Sequence, residues 1–146
     1  MNCISTPLLL IYKSCYISVT CSLADVMFLV DVSGNITGKD SWNWDRVLWF
    51  LNDAITVLNR LGNMRFSMVL FNEEAHLQFN LDTFSNTSKV LNNVSSLSYN
   101  TYMGGTSNIT SGLHLIRIEV LPKARPDAAK IIILVTDTES GDEVLF

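Results

Sequence analysis

Basic residues are scarce in this chain of 146. Ten Lys and Arg stand against fourteen Asp and Glu, a formal net charge of −4. No stripe of positive charge exists to neutralise phosphates, which argues against nucleic acid as a partner. Lys123, Arg125 and Lys130 lie close together, but they flank the start of an apolar run and read as a solvated loop. Long hydrophobic stretches are missing too. Pro7 to Tyr12 is apolar, yet Lys13 cuts it short and no basic residue precedes it, so it makes a poor signal peptide. A membrane span would need about 18 uninterrupted apolar residues, so no membrane insertion is expected. Cysteine is limited to Cys3, Cys15 and Cys21, all ahead of the candidate core. The odd number leaves at least one free or paired outside this chain. No Cys-x-x-Cys pair and no Cys/His cluster marks a zinc site. His76 and His114 are isolated and read as ordinary strand or helix side chains.

What is present is apolar and patterned. Apolar residues make up 48% of the chain, enough for one domain with a sizeable core and a sheet covered on both faces. Residues 1–24 show no period and read as a leader or disordered segment, leaving 25–146 as the domain. Val26–Val30 is a continuous apolar run, as expected of a central parallel strand. Ser41 can cap a helix in which Val47, Leu48, Leu51, Ile55, Leu58 and Leu61 recur at helical spacing, with Gly62 just past its end. Trp42 and Trp49 share a face of that helix and are expected to pack on the sheet. Arg65–Phe71 alternates, and so do Ala75, Leu77 and Phe79 after Asn72-Glu73-Glu74, which reads as an antiparallel hairpin. Ser85–Leu97 offers Val90, Leu91, Val94 and Leu97 as one helical face. Ile109–Leu121 fits either period in part. A helix is chosen, because a crossover must precede the next parallel strand, and Pro122 ends it. Ile131–Val135 is the purest apolar run.

Chemistry concentrates where these runs stop. The first ends in Asp31, followed at alternate positions by Ser33 and Asn35; the last leads through Thr136 to Asp137. Adjacent parallel strands would present both carboxylates at one rim, where open α/β sheets bind ligands. Met103-Gly-Gly-Thr-Ser107 is a glycine-rich loop ending in hydroxyls. Alternate oxygen donors on tight loops suit a hard cation. Singly, each of these residues could be an ordinary turn or cap residue.

Phe28-Leu-Val-Asp-Val-Ser-Gly-Asn-Ile36, Val69-Leu-Phe-Asn72, Gly104-Gly-Thr106 and Ile132-Ile-Leu-Val-Thr-Asp137 together resemble the von Willebrand factor type A domain. The resemblance runs from about residue 24 to 146 and is nearest to the matrix and adhesion members. It implies a Rossmann-like α/β fold: an open, mostly parallel sheet with one antiparallel edge hairpin strand and helices on both faces. The family's last strands and helices are missing, so 25–146 is expected to be a partial domain with Ile131–Val135 at an uncovered edge. A Cys21 partner is expected in the missing part, and the chain on its own is expected to be poorly stable.

The resemblance also implies a metal-ion-dependent adhesion site, in which Asp31, Ser33, Asn35, Thr106 and Asp137 would surround Mg2+, or else Mn2+ or Ca2+. The implied function is non-catalytic: an acidic residue of an extracellular matrix or cell-surface partner, such as a collagen-like ligand, binds the ion. Secretion is implied, and four N-x-Ser/Thr sequons, at Asn35, Asn86, Asn93 and Asn108, lean the same way. Two departures stand out. Asn35 replaces the family's second Ser and is itself a sequon asparagine, where a glycan would block the site. Thr138 stands where the family has Gly. A metal-free scaffold that binds partners through its surfaces is therefore a second reading. A third is a haloacid-dehalogenase-type phosphohydrolase with Asp31 as nucleophile. It lacks a second carboxylate, because Ser33 stands two residues on.

Overall fold

The computed structural model describes residues 9–11, 23–34, 41–98 and 104–136. Asn35, Asp137, Thr138 and all three cysteines lie outside them, so the expectations placed on those residues are not addressed by the fold. In chain order the elements are β1 (Leu9–Ile11), β2 (Leu23–Asp31), α1 (Ser41–Asn59), β3 (Asn63–Phe71), β4 (Ala75–Phe79), α2 (Thr87–Ser95), α3 (Ile109–Leu115) and β5 (Ala129–Val135). The sheet order is β1-β5-β2-β3-β4. Every pairing is parallel except β3 with β4, the antiparallel hairpin, which has a bulge at Met68/Val69.

The central position of β2 follows from its composition. Ala24 through Asp31 are all buried, so both faces of the strand must be covered. One face carries Val26, Phe28 and Val30 against Leu51, Ile55 and Leu58 of α1 and Val90 and Val94 of α2. The other carries Met27 and Leu29 against Ile109, Leu113, Ile116 and Val120. The expected α/β sheet with helices on both faces is thus the observed one.

Several local expectations change. Trp49 is 61% exposed rather than packed on the sheet, and Trp44 is buried instead; the Trp42 side chain lies outside the described ones. At 3.6 residues per turn, Trp49 lies about 140° around the helix from Trp44. The Trp44 indole N–H donates to the Leu97 carbonyl at 3.3 Å, so its polar edge is satisfied where α1 meets the end of α2. Leu61 falls beyond α1 and is exposed. The Ile109–Leu121 helix exists but changes character. After Leu115 it widens into a π turn, Ile116–Val120, closed by the Leu121 N–H on the Ile116 carbonyl, and then tightens into a 3-10 turn, Leu121–Lys123. Pro122 lies inside that last turn; it has no N–H to give and crowds the carbonyl four residues back.

Arg125 is not part of a solvated loop. It reaches the buried Asp25 with its backbone N–H and its guanidinium, the latter at 2.7 and 2.8 Å. Lys123 does stay outside, in an exposed ion pair with Asp82 at 3.3 Å. The Ile131–Val135 edge is also not bare. Leu9–Ile11, from the segment read as leader, runs parallel to it in register with Ile132–Leu134.

Candidate metal centre

Three loops meet at the carboxyl end of the sheet, and backbone hydrogen bonds fix them together. The Val32 N–H donates to the Phe71 carbonyl at 2.8 Å, tying the turn after β2 to the end of β3. The Gly104 N–H donates to the Val32 carbonyl at 2.9 Å, and the Gly34 N–H to the Gly105 carbonyl at 3.1 Å. The Gly104-Gly105 loop is thereby laid along the first loop. Its φ values of 116° and 75° are ones that residues with a Cβ rarely adopt, which is why two glycines stand there. Asn72, just past β3, braces the loop from the other side. Its Nδ2 donates to the Gly104 carbonyl at 3.1 Å, and its own carbonyl accepts from the Asn108 N–H at 2.8 Å.

Asp31 sits at the focus. It is fully buried, as is Ser33. Asp31 Oδ1 accepts from the Ser33 N–H at 2.8 Å. Asp31 Oδ2 accepts from the Ser107 hydroxyl at 2.7 Å and the Thr136 hydroxyl at 2.8 Å. These three donors are neutral, and they come from three separate loops. Each hydroxyl keeps lone pairs while it donates. A carboxylate ringed by hydroxyl oxygens at a strand end is a donor set for a hard divalent cation, so the residues present fit such an ion. Among the described residues no group of three or more His, Cys, Asp or Glu forms a metal cluster.

Of the five residues expected from the sequence, Asp31 and Ser33 lie together at this focus, and Asn35 and Asp137 lie outside the described residues. Thr106 makes no described hydrogen bond to Asp31. It is exposed, and its backbone N–H, not its hydroxyl, makes the described contact, with Glu73 Oε1 at 3.4 Å. Ser107, one residue on, supplies the hydroxyl that meets Asp31. Ser107 and Thr136, which meet Asp31, were not singled out from the sequence. Both are hydroxyl neighbours of residues that had been singled out. For Thr136 the signal was available: it is a hydroxyl directly after an apolar strand, at the carboxyl end where such sheets bind ligands.

The sequence pattern that defines the von Willebrand factor type A domain matches residues 25–145. The collagen α-4(VI) chain of Mus musculus is 35% identical over 129 residues, covering 84% of this chain and 5% of that protein. Vitrin of Homo sapiens is 29% identical over 130 residues, covering 87% of this chain and 18% of its own length. Integrin α-X of Mus musculus is 29% identical over 126 residues, covering 84% and 10%. The chain therefore spans a small part of each of these relatives. Among solved structures, proximal thread matrix protein 1 from the mussel byssus superimposes with a TM-score of 0.69 at 25% identity, over 82% of this chain and 30% of that one. Another structure of the same mussel protein, with zinc in its metal-ion-dependent adhesion site motif, matches with a TM-score of 0.67 at 24% identity, over 77% and 28%. The fold, the rim geometry and these matches agree, and the chain belongs to the von Willebrand factor type A domain family.

Proposed function

We propose that this domain is a non-catalytic adhesion module that binds an acidic side chain of an extracellular matrix or cell-surface protein through a divalent cation. The observation that supports it most is the buried Asp31 carboxylate, met by hydroxyls from two other loops at the carboxyl end of the central strand. Asp31, Ser33 and Ser107 would hold the ion, joined by Asn35 and Asp137 from the flanking loops; Thr106 borders them. Mg2+ is the ion of choice, with Mn2+ or Ca2+ as substitutes. Neutral hydroxyl ligands leave such an ion short of negative charge, and the carboxylate of a partner makes up the deficit. Recognition then depends on the metal and needs no bond cleavage. Ser33, where a phosphohydrolase would carry its acid/base carboxylate, has no proton to exchange near neutral pH. The matrix and adhesion proteins to which this chain is similar support an extracellular setting.

A metal-free scaffold is the second reading. Its specific support is that both Asp31 carboxylate oxygens already accept hydrogen bonds from the protein, so the rim can hold together without an ion. Calorimetric titration with Mg2+ and Mn2+ of the wild type and of Asp31→Ala separates the two. Binding that is lost in the variant, with no phosphatase turnover in either protein, is the expected result. Absence of binding to the wild type would establish the scaffold, and turnover that depends on Asp31 would establish the enzyme.

A further inference from the structure

At the other end of the sheet, beside the amino ends of β2 and β3, an open groove of about 780 Å³ runs between the end of α1, the start of β3 and the start of α2. Its floor includes Met64, Phe66 and Val90, and Asn86 stands on its rim. Asn86 is the N-cap of α2 and the first residue of the sequon Asn86-Thr87-Ser88. Resting on the extracellular reading above, we propose that, among the described sequons, Asn86 carries an N-linked glycan, in preference to Asn93 and Asn108.

The cap geometry is what admits the sugar. Asn86 Oδ1 accepts from the Lys89 N–H at 3.0 Å. A backbone N–H can only donate, so the amide oxygen faces the helix and Nδ2 faces outward. Glycosylation uses Nδ2 alone. A lipid-pyrophosphate-linked oligosaccharide is the donor. A bond forms from the sugar anomeric carbon to Nδ2 as the bond from that carbon to the pyrophosphate oxygen breaks; Nδ2 loses one proton and the lipid pyrophosphate leaves. Oδ1 is untouched, so the cap survives the modification. Asn86 and Ser88 are both exposed, and the groove beside them leaves room for the first sugar.

The other described sequons fare worse. Asn93 lies within α2, half-buried, with its Oδ1 buried and without a hydrogen-bond partner. Asn108 caps α3 with Oδ1 on the Ser111 N–H at 3.1 Å while its Nδ2 donates to the Glu73 carbonyl at 3.4 Å. It also adjoins Ser107, so a glycan there would crowd the metal rim. A glycan on Asn86 sits at the opposite end of β2 from Asp31 and leaves that rim open.

The full chain, expressed in cultured animal cells behind an added cleavable secretion signal, tests this. The secreted protein is treated with peptide-N-glycosidase in heavy-oxygen water and mapped by mass spectrometry. Expected is heavy-oxygen conversion of Asn86 to Asp in most molecules, with Asn93 and Asn108 at background. Ser88→Ala, which keeps the cap and removes the acceptor hydroxyl, should lose one glycan step on a gel and keep the urea midpoint of the deglycosylated wild type. An unmodified Asn86 in the secreted chain, equal occupancy at Asn93 or Asn108, or an unchanged Ser88→Ala mobility would overturn the assignment. The added signal decides Asn86 however the natural chain is exported; antibody staining of unpermeabilised tissue tests the extracellular reading separately, and staining confined to the cell interior overturns that reading.

Discussion

Arg125→Ala should be among the most damaging single substitutions in this domain, although Arg125 is far from the Asp31 rim. Asp25 is fully buried in β2, and the Arg125 side chain is only 16% exposed. The guanidinium touches Asp25 Oδ1 through Nε at 2.8 Å and donates to the Ala24 carbonyl at 2.7 Å and to the Asn63 carbonyl and side chain at 3.0 and 3.1 Å. It thus clamps the amino ends of β2 and β3 to the segment that leads into β5. Removing one partner of a buried ion pair strands the other charge and costs about 3–5 kcal/mol. The Arg125 backbone N–H still reaches Asp25 in the variant, so the lower end, about 3 kcal/mol, is expected. With a urea slope of about 2 kcal/mol/M, the unfolding midpoint would fall by about 1.5 M. Arg125→Lys keeps the charge but not the fork and should fall between. Replacing both partners with apolar residues of similar size should cost far less than Arg125→Ala, because no charge is then left buried. A midpoint for Arg125→Ala within about 0.3 M of wild type, at unchanged slope, would refute the reasoning.

Other substitutions probe the packing and the rim. Ser67 is fully buried in β3 with a hydroxyl that has no hydrogen-bond partner, so Ser67→Ala should be neutral or stabilise by about 1 kcal/mol, read from the same urea curves. Gly112 packs so closely on β2 that a Cβ would lie 2.5 Å from Leu29 Cδ1; Gly112→Ala should lower stability by about 1–3 kcal/mol despite its better helix propensity. At the rim, Ser107→Ala should weaken Mn2+ binding in calorimetry at least tenfold, whereas Thr106→Ala should change it less than twofold, since Ser107 is the residue that meets Asp31. The reverse order would restore Thr106 to the ion.

Much of this was legible in the sequence because burial is so uneven. A strand buried on both faces has to be apolar throughout, and Val26–Val30 and Ile131–Val135 announce themselves in that way. The carboxylate that interrupts the first run was readable for the same reason. What was not legible depends on register within loops. Thr106 and Ser107 are adjacent hydroxyls, and only the path of Gly104 and Gly105 along Val32 and Gly34 decides which of them turns inward. Trp44 and Trp49 are likewise chosen by the phase of α1 on the sheet, which a spacing between two tryptophans does not set. The pairing of Arg125 with Asp25 joins residues 100 apart in the chain, and no local pattern signals it. Leu9–Ile11 adds only three residues to the sheet edge, too short a run to carry a period.

The claim on which the functional account rests is that the rim around Asp31, Ser33 and Ser107 receives a divalent ion. A crystal of the full chain grown with Mn2+ and measured at the manganese absorption edge tests it most directly. An anomalous peak within coordination distance of Asp31, Ser33 or Ser107 side-chain oxygens is the predicted result. A well-ordered rim with no peak there, at saturating Mn2+, would contradict the account and leave a scaffold whose partners bind elsewhere.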